Sequence, residues 1–332
     1  MMVGFTTPDK LLNPPNVQKI RQCQNPELRF VLKPNISNEE EFQRALNFTT
    51  FPEERTCKDD LFLIMLINSA PENNKRRDAV RETWGSLRTV QGQKMRVIFV
   101  LAKAQMPSTN KRVLAESKIY RDLLIFDFFE THINLTLKLV GGLKWVSEHC
   151  NNAKYMYKGD DDMFVNIDII IAHLTLAKGT PGINGSFYSP VYIYDDIPKK
   201  RLYIGSLNPG PVMRNKRNKY YVSHDDYFGK YFPLFVSGGG YVISCDNGEV
   251  ISALYRASFD VFLMNCDDVY QGILAKKIGL RPVDHPGFKN FAVAGRIHTC
   301  TLRRRIWTFH GVYGNKLKAF WHRFTMFVET CL

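Results

Sequence analysis

The chain of 332 residues is 45% hydrophobic, 13% aromatic and 23% charged, which excludes intrinsic disorder and supplies core for one large domain or two small ones. A formal net charge of +13 suits an anionic partner. The basic residues are scattered, however, with the tightest runs at Arg303, Arg304, Arg305 and at Lys199, Lys200, Arg201, and this argues against a nucleic-acid partner.

Residues 1–58 read as irregular, because Pro14, Pro15, Pro26, Pro34 and Pro52 interrupt any long element. A stem or N-terminal wrap is expected there. From Leu61 the pattern changes. "LFLIMLI" at 61–67, "MRVIFVLA" at 95–102 and "LLIFDF" at 123–128 are apolar runs of strand length, suited to a buried parallel sheet. A helix is expected between the first two, with Pro71 in its first turn and Gly85 capping its end. A polar helix separates the second and third runs. Leu135, Leu139, Leu143, Val146 and Cys150 recur at helical spacing, and "YMYK" at 155–158 is a short strand running into Asp160, Asp161 and Asp162. Alternating strands and helices with long connections predict an α/β sheet wrapped by helices, whose ligands bind at the carboxyl ends of strands. Further on, 179–235 reads as loops with short strands. "YVIS" at 241–244 is a strand, and "GEVISALYRA" and "DDVYQGILAKKIGL" are helices.

The cysteines are Cys23, Cys57, Cys150, Cys245, Cys266, Cys300 and Cys331, with no CxxC pair. Their scatter fits long-range disulfides in an oxidising compartment and equally fits buried thiols. Sequons stand at Asn35, Asn47, Asn134 and Asn184. The longest apolar run is too short to span a bilayer, and the start lacks a signal-peptide core. Either the chain is cytosolic, or it is a luminal portion without its anchor.

Adjacent carboxylates need a positive answer near a core. On extended backbone Asp160 and Asp162 share a face and Asp161 points away, so the pair suits Mg2+ or Mn2+ with a phosphate completing the shell. The alternative is a charged turn paired with Lys or Arg. Arg76, Arg77 and Arg81 follow the first strand, and Arg77 and Arg81 share a helix face from which forked donors reach a diphosphate. A solvated face is the plainer reading. Gly238, Gly239 and Gly240 permit close backbone approach or a bulge, and match neither a Walker A loop nor GxGxxG. Asp267 and Asp268 open a helix, where acids favour the dipole; alternatively, one of such a pair has a raised pKa and serves as a general base. His310 sits among aromatics, where packing is the ordinary role.

Together these stretches resemble the β-1,3-glycosyltransferase family of β-1,3-galactosyl- and β-1,3-N-acetylglucosaminyltransferases. The matches are "RRDAVRETWG", "DFFETHINLTLK", "KGDDDMFVN", "KYYVS", "YFPLFVSGGGYVIS" and "DDVYQGILAKKIGL", in the family's order from about 58 to 325. Gly159 stands where Thr is usual, and Asp267 where Glu is usual. The resemblance implies a GT-A fold, a Rossmann-like mixed sheet flanked by helices. It implies a catalytic domain over 59–332, with 59–165 binding UDP and 166–332 binding the acceptor. It further implies a type II Golgi enzyme, luminal, touching the membrane only through an anchor absent from this chain. The activity implied is inverting transfer of a hexose, with galactose favoured, from a UDP-sugar to a glycan on glycoprotein or glycolipid, using Mn2+ or Mg2+. N-acetylglucosamine transfer, or a silent carbohydrate-binding relative, is the alternative. By motif, Asp160 and Asp162 are the outer members of the DxD motif, with Asp162 and His310 as metal ligands. Asp268 is the base, Arg77 and Arg81 lie on the nucleotide side, and Gly238–Gly240 line the sugar and acceptor site.

Overall fold

The computed structural model describes residues 46–57, 60–175, 198–218, 220–224, 226–261, 263–289 and 299–326. Cys23, Cys331, Asn35 and Asn184 lie outside them.

In chain order the strands are β1 (Phe48–Thr50), β2 (Leu63–Asn68), β3 (Thr89–Val90), β4 (Gln93–Lys103), β5 (Leu123–Phe129), β6 (Tyr155–Asp160), β7 (Met163–Val165), β8 (Tyr203–Asn208), β9 (Phe235–Ser244), β10 (Val283–Asp284), β11 (Phe288–Lys289) and β12 (Thr308–His310). The helices are α1 (Asn74–Arg81), α2 (Pro107–Tyr120), α3 (Leu135–His149), α4 (Ile167–Thr175), α5 (Glu249–Ala257), α6 (Asp267–Lys277), α7 (Thr299–Arg305) and α8 (Gly314–Met326).

The main sheet runs β1-β5-β4-β2-β6-β9-β8-β10, with β3 beside β4. Strands β5, β4, β2 and β6 are parallel, while β1 and β9 are antiparallel to their neighbours, so the sheet is mixed. Along β2 the side chains alternate: Ile64 and Leu66 enter one core, Leu63, Met65 and Ile67 the other. Both faces are therefore covered, which is why the run reads as continuously apolar. The first core is closed by Leu139 and Leu143 of α3, Ile251 of α5 and Leu274 of α6. The second is closed by Val80 of α1, Ile170 of α4 and Leu317 of α8. This is an α/β fold, a mixed sheet flanked by helices.

Two local expectations change. Helix α1 begins at Asn74, after Pro71, and stops at Arg81, before Gly85. The carbonyls of Ala70 and Pro71 are taken instead by the Arg77 guanidinium, at 2.6 and 3.3 Å. The irregular N-terminal segment also ends sooner than residue 58, because Phe48–Thr50 adds an edge strand to β5. Cys57 is bonded to Cys150 after α3, with Cα atoms 5.1 Å apart. Cys300 is also disulfide-bonded, whereas Cys245 and Cys266 are buried thiols, raised by burial first, Cys266 to about 12. Breaking the Cys57–Cys150 link by Cys150→Ser should cost about 2–5 kcal/mol, since it frees a long loop in the unfolded chain. Non-reducing urea unfolding reads that loss.

Of the described sequons, Asn47 is exposed. Asn134 is buried, and its Nδ2 donates to the Phe129 carbonyl at 2.8 Å, so the folded chain withholds it. No helix among the described residues is long and apolar enough to cross a membrane.

What positions the site is the junction of β2 and β6. Asn68, the last residue of β2, pairs with Asp160, the last of β6. Helix α1 leaves β2 over one face, and α3 enters β6 over the other. Such a switch point opens a crevice at the strand ends.

Candidate active site

The acidic triplet straddles the end of β6: Asp160 closes the strand, and Asp161 and Asp162 form the turn into β7. Asp161 is 3% exposed. It accepts Ser69 Oγ at 2.7 Å, Asn73 Nδ2 at 2.9 Å and Arg76 Nη1 at 3.1 Å. It therefore anchors the triplet to the β2–α1 loop, as expected of the acid that points away from its neighbours. Burial still leaves its pKa raised against these donors.

Asp162 is answered differently. Its Oδ2 accepts Arg76 Nη1 at 3.3 Å, and the Arg76 guanidinium rests over the Tyr313 ring, 4.2 Å from its centroid. Its Oδ1 is buried without a hydrogen-bond partner among the described residues, and His310 Nε2 lies 3.6 Å from it. Strand pairing sets that approach. β12 runs antiparallel to β7 with His310 opposite Met163, and the N–H groups of Gly311 and Val312 donate to the Asp162 carbonyl at 3.0 and 2.9 Å. An unpartnered carboxylate oxygen facing an imidazole nitrogen is a donor set that a divalent cation satisfies. Among the described residues no three His, Cys, Asp or Glu side chains converge as a metal site. Asp162 and His310 thus supply part of a shell, with positions left for phosphate and water.

Asp160 is half-buried and its pKa is pushed up to about 7. Burial is the largest cause; Lys158 opposes it, and Asp267, Asp162 and Asp161 add to it.

The second cluster lies across β9. Asp267 and Asp268 open α6, and Asp268 Oδ2 accepts the Gly238 N–H at 3.3 Å. Its Oδ1 accepts the Val269 N–H at 2.8 Å. Burial first, and then the Asp267 charge, raises Asp268 to about 6, against Lys158 and the two N–H donors. Lys158, 4% exposed, donates to Asp267 Oδ2 at 2.6 Å and to the Gly238 carbonyl at 3.2 Å.

The glycine triplet serves close approach and a bulge together. Against β8, the pairing jumps from Tyr241–Gly205 to Val236–Leu207, so Ser237–Gly240 bulge outward. A Cβ on Gly238 would lie 3.3 Å from Asp268 Cβ and 3.6 Å from Lys158 Nζ. Gly240 faces Gly159 across the strands, and a Cβ on either would strike the Tyr157 hydroxyl, at 2.5 and 2.6 Å. The phenol of Tyr157 therefore fills the space that a Thr at 159 would need.

Arg77 and Arg81 require a correction. Arg77 is fully buried and donates to Glu116 twice, at 2.6 and 2.7 Å, to Ser69 Oγ at 2.9 Å, and to two carbonyls. Arg81 forks onto Asp122 at 2.8 and 2.9 Å, bonds Glu116 and Asp78, and stacks on Tyr120. All five donors of Arg77 and four of the five of Arg81 are engaged within the fold, chiefly on Glu116 of α2 and Asp122 before β5. They share a face, but it is the face toward Glu116, and Arg76 is the arginine that meets the triplet. Arg77→Ala should cost about 3–5 kcal/mol, because it leaves Glu116 without its bidentate partner in a largely buried place. Arg76→Ala, on the half-buried rim of the triplet, should fold normally. Thermal unfolding separates the two.

Lys158 stands in the matched stretch "KGDDDMFVN" without a role of its own, yet it carries a signal: a lone cation in an apolar strand demands an acid.

A sequence profile of the Galactosyltransferase family matches residues 75–286. β-1,3-Galactosyltransferase 1 of Mus musculus is 32% identical over 271 residues, covering 81% of this chain and 76% of that protein. N-Acetyllactosaminide β-1,3-N-acetylglucosaminyltransferase 2 of the same species is 34% identical over 260 residues, covering 76% and 60%. A solved galactosyltransferase in complex with donor and acceptor sugar analogues overlaps loosely, at 10% identity and TM-score 0.36, over 80% of this chain and 98% of that one. On the extent of the profile and of the first relative, the chain belongs to the galactosyltransferase family and is a glycosyltransferase.

Proposed function

We propose that the chain transfers a hexose, galactose by preference, from a UDP-sugar to a hydroxyl of an acceptor glycan on glycoprotein or glycolipid, with inversion and a β-1,3 linkage. The observation that carries this reading is the unpartnered Asp162 Oδ1 beside His310 Nε2 at the switch-point crevice. The names of the relatives supply the linkage.

Asp162 and His310 would hold Mn2+ or Mg2+, which when bound supplies positive charge for a leaving diphosphate. Arg76 adds a guanidinium on the same side, already oriented by Asp161 and Tyr313. Asp160 flanks the same crevice on the donor side. Asp268 takes the proton of the acceptor hydroxyl as that oxygen attacks the anomeric carbon, and a pKa near 6 leaves it ionised at neutral pH. Attack from the face opposite the diphosphate inverts the centre, so one base suffices and no covalent sugar–enzyme intermediate forms. Gly238 brings the strand backbone close to that base, and the Gly238, Gly239 and Gly240 stretch would line the sugar and acceptor site.

The Golgi lumen is the compartment we assign, with a type II membrane anchor preceding the domain. The Cys57–Cys150 disulfide and the exposed Asn47 sequon suit it. The 34% identity to an N-acetylglucosaminyltransferase favours one second reading, with N-acetylglucosamine as donor. The test is incubation with each common UDP-sugar, Mn2+ and a panel of sugar acceptors. Release of UDP with one sugar, and a β-1,3 product by NMR, is the expected result. No release with any sugar would make the chain a silent carbohydrate binder.

A further inference from the structure

Two adjacent carboxylates in a protected place share a proton between them, and neither is by itself a defined base. Asp267 and Asp268 are neighbours at the head of α6, and the Asp267 charge adds to burial in raising Asp268. The structure separates them by contact. Lys158 Nζ lies 2.6 Å from Asp267 Oδ2, while Asp268 receives the peptide N–H groups of Gly238 and Val269. The same ammonium also donates to the Gly238 carbonyl, so it fixes the residue whose N–H holds Asp268.

We propose that Lys158 is a positioning residue for proton transfer: it pins the negative charge of the acid pair on Asp267 and leaves Asp268 alone to take up the acceptor proton. This rests on Asp268 being the base.

The placement is specific. Lys158 lies on β6 opposite Tyr241 of β9, and its Nζ reaches α6 past Gly238, where a Cβ would lie 3.6 Å from it. Its charge persists despite burial, since Asp267 and Asp160 outweigh the loss of water and its pKa is raised. The groups that face Asp268 are Asp267 on its own helix, Lys158 from β6, the Gly238 N–H from β9, the phenols of Tyr203 and Tyr241, and the Cys266 thiol. Lys158 is the cation in that set. Removing it exposes Asp268 to the full charge of Asp267, which raises the pKa of the base.

The experiment is the pH profile of kcat/KM for the acceptor in the intact chain. Lys158→Met should move the acid limb up by at least about one pH unit. The double variant Lys158→Met/Asp267→Asn should bring the limb back toward wild type, because the charge that needed an answer has gone. It also leaves no charge at position 267 that needs Lys158, so it reads the proposal even where the single variant folds poorly. A single-variant limb that superimposes on wild type, with activity uniformly lower, would reduce Lys158 to packing and overturn the proposal. So would a double variant whose limb stays high. Asp268→Asn is run beside them: if it transfers normally, the base assignment itself fails, whatever Lys158 does.

Discussion

Asp268→Asn is expected to lose transfer by about 10²-fold or more while keeping its affinity for UDP. The amide is isosteric and keeps one oxygen to accept the Gly238 N–H, losing the basicity and the acceptor of the Val269 N–H. Single-turnover transfer and UDP titration make the comparison. Its wild-type counterpart has a pH signature. Burial, then Asp267, lifts Asp268 to about 6, and a base must be ionised to act. Activity should be flat above about pH 7 and fall about tenfold per unit well below pH 6. The stability sign follows from the same shift. A carboxyl with a raised folded pKa binds its proton more tightly when folded, so its ionised form opposes folding above that pKa. Asp268→Asn should therefore melt no lower than wild type at pH 7.5. A variant that melts lower and transfers normally would remove Asp268 from both roles.

Asp162→Ala should abolish Mn2+-supported transfer, by roughly 10²- to 10³-fold, since several kcal/mol of charge stabilisation depend on holding the cation. His310→Ala should be milder. Its ring is 39% exposed and shares the work with the carboxylate, so a higher Mn2+ concentration should recover much of the rate. Chelation should silence wild type and be reversed by adding the metal. A Mn2+ titration of UDP release in the three proteins decides the matter. Full activity of Asp162→Ala in chelator would dismiss the metal role.

Much of this was legible in the residues. The apolar runs at β2, β4, β5 and β6 are strands because both faces of each are covered, and continuous hydrophobicity is the trace that leaves. Spacing placed α3, and the alternation of strands and helices put the triplet at a strand end. The arginines show where such reading stops. A four-residue spacing tells that Arg77 and Arg81 share a face, but not that Glu116 and Asp122 wait on that face from the next two elements. β1 was missed for a similar reason: three residues on a sheet edge take their conformation from β5 and carry little pattern of their own. His310 was named by resemblance alone. Its arrival beside Asp162 depends on the register of β12 on β7, which local sequence does not encode. Lys158 was passed over because motif reading weighs the acids and not the cation between them.

The seam between β7 and β12 has a temporal meaning. Ribosomes build proteins from the amino end, so Ser69, Asn73 and Arg76 and the acidic turn they bond are all made before the imidazole. The pairing of β12 on β7, which brings His310 to Asp162, needs the chain made almost to its end.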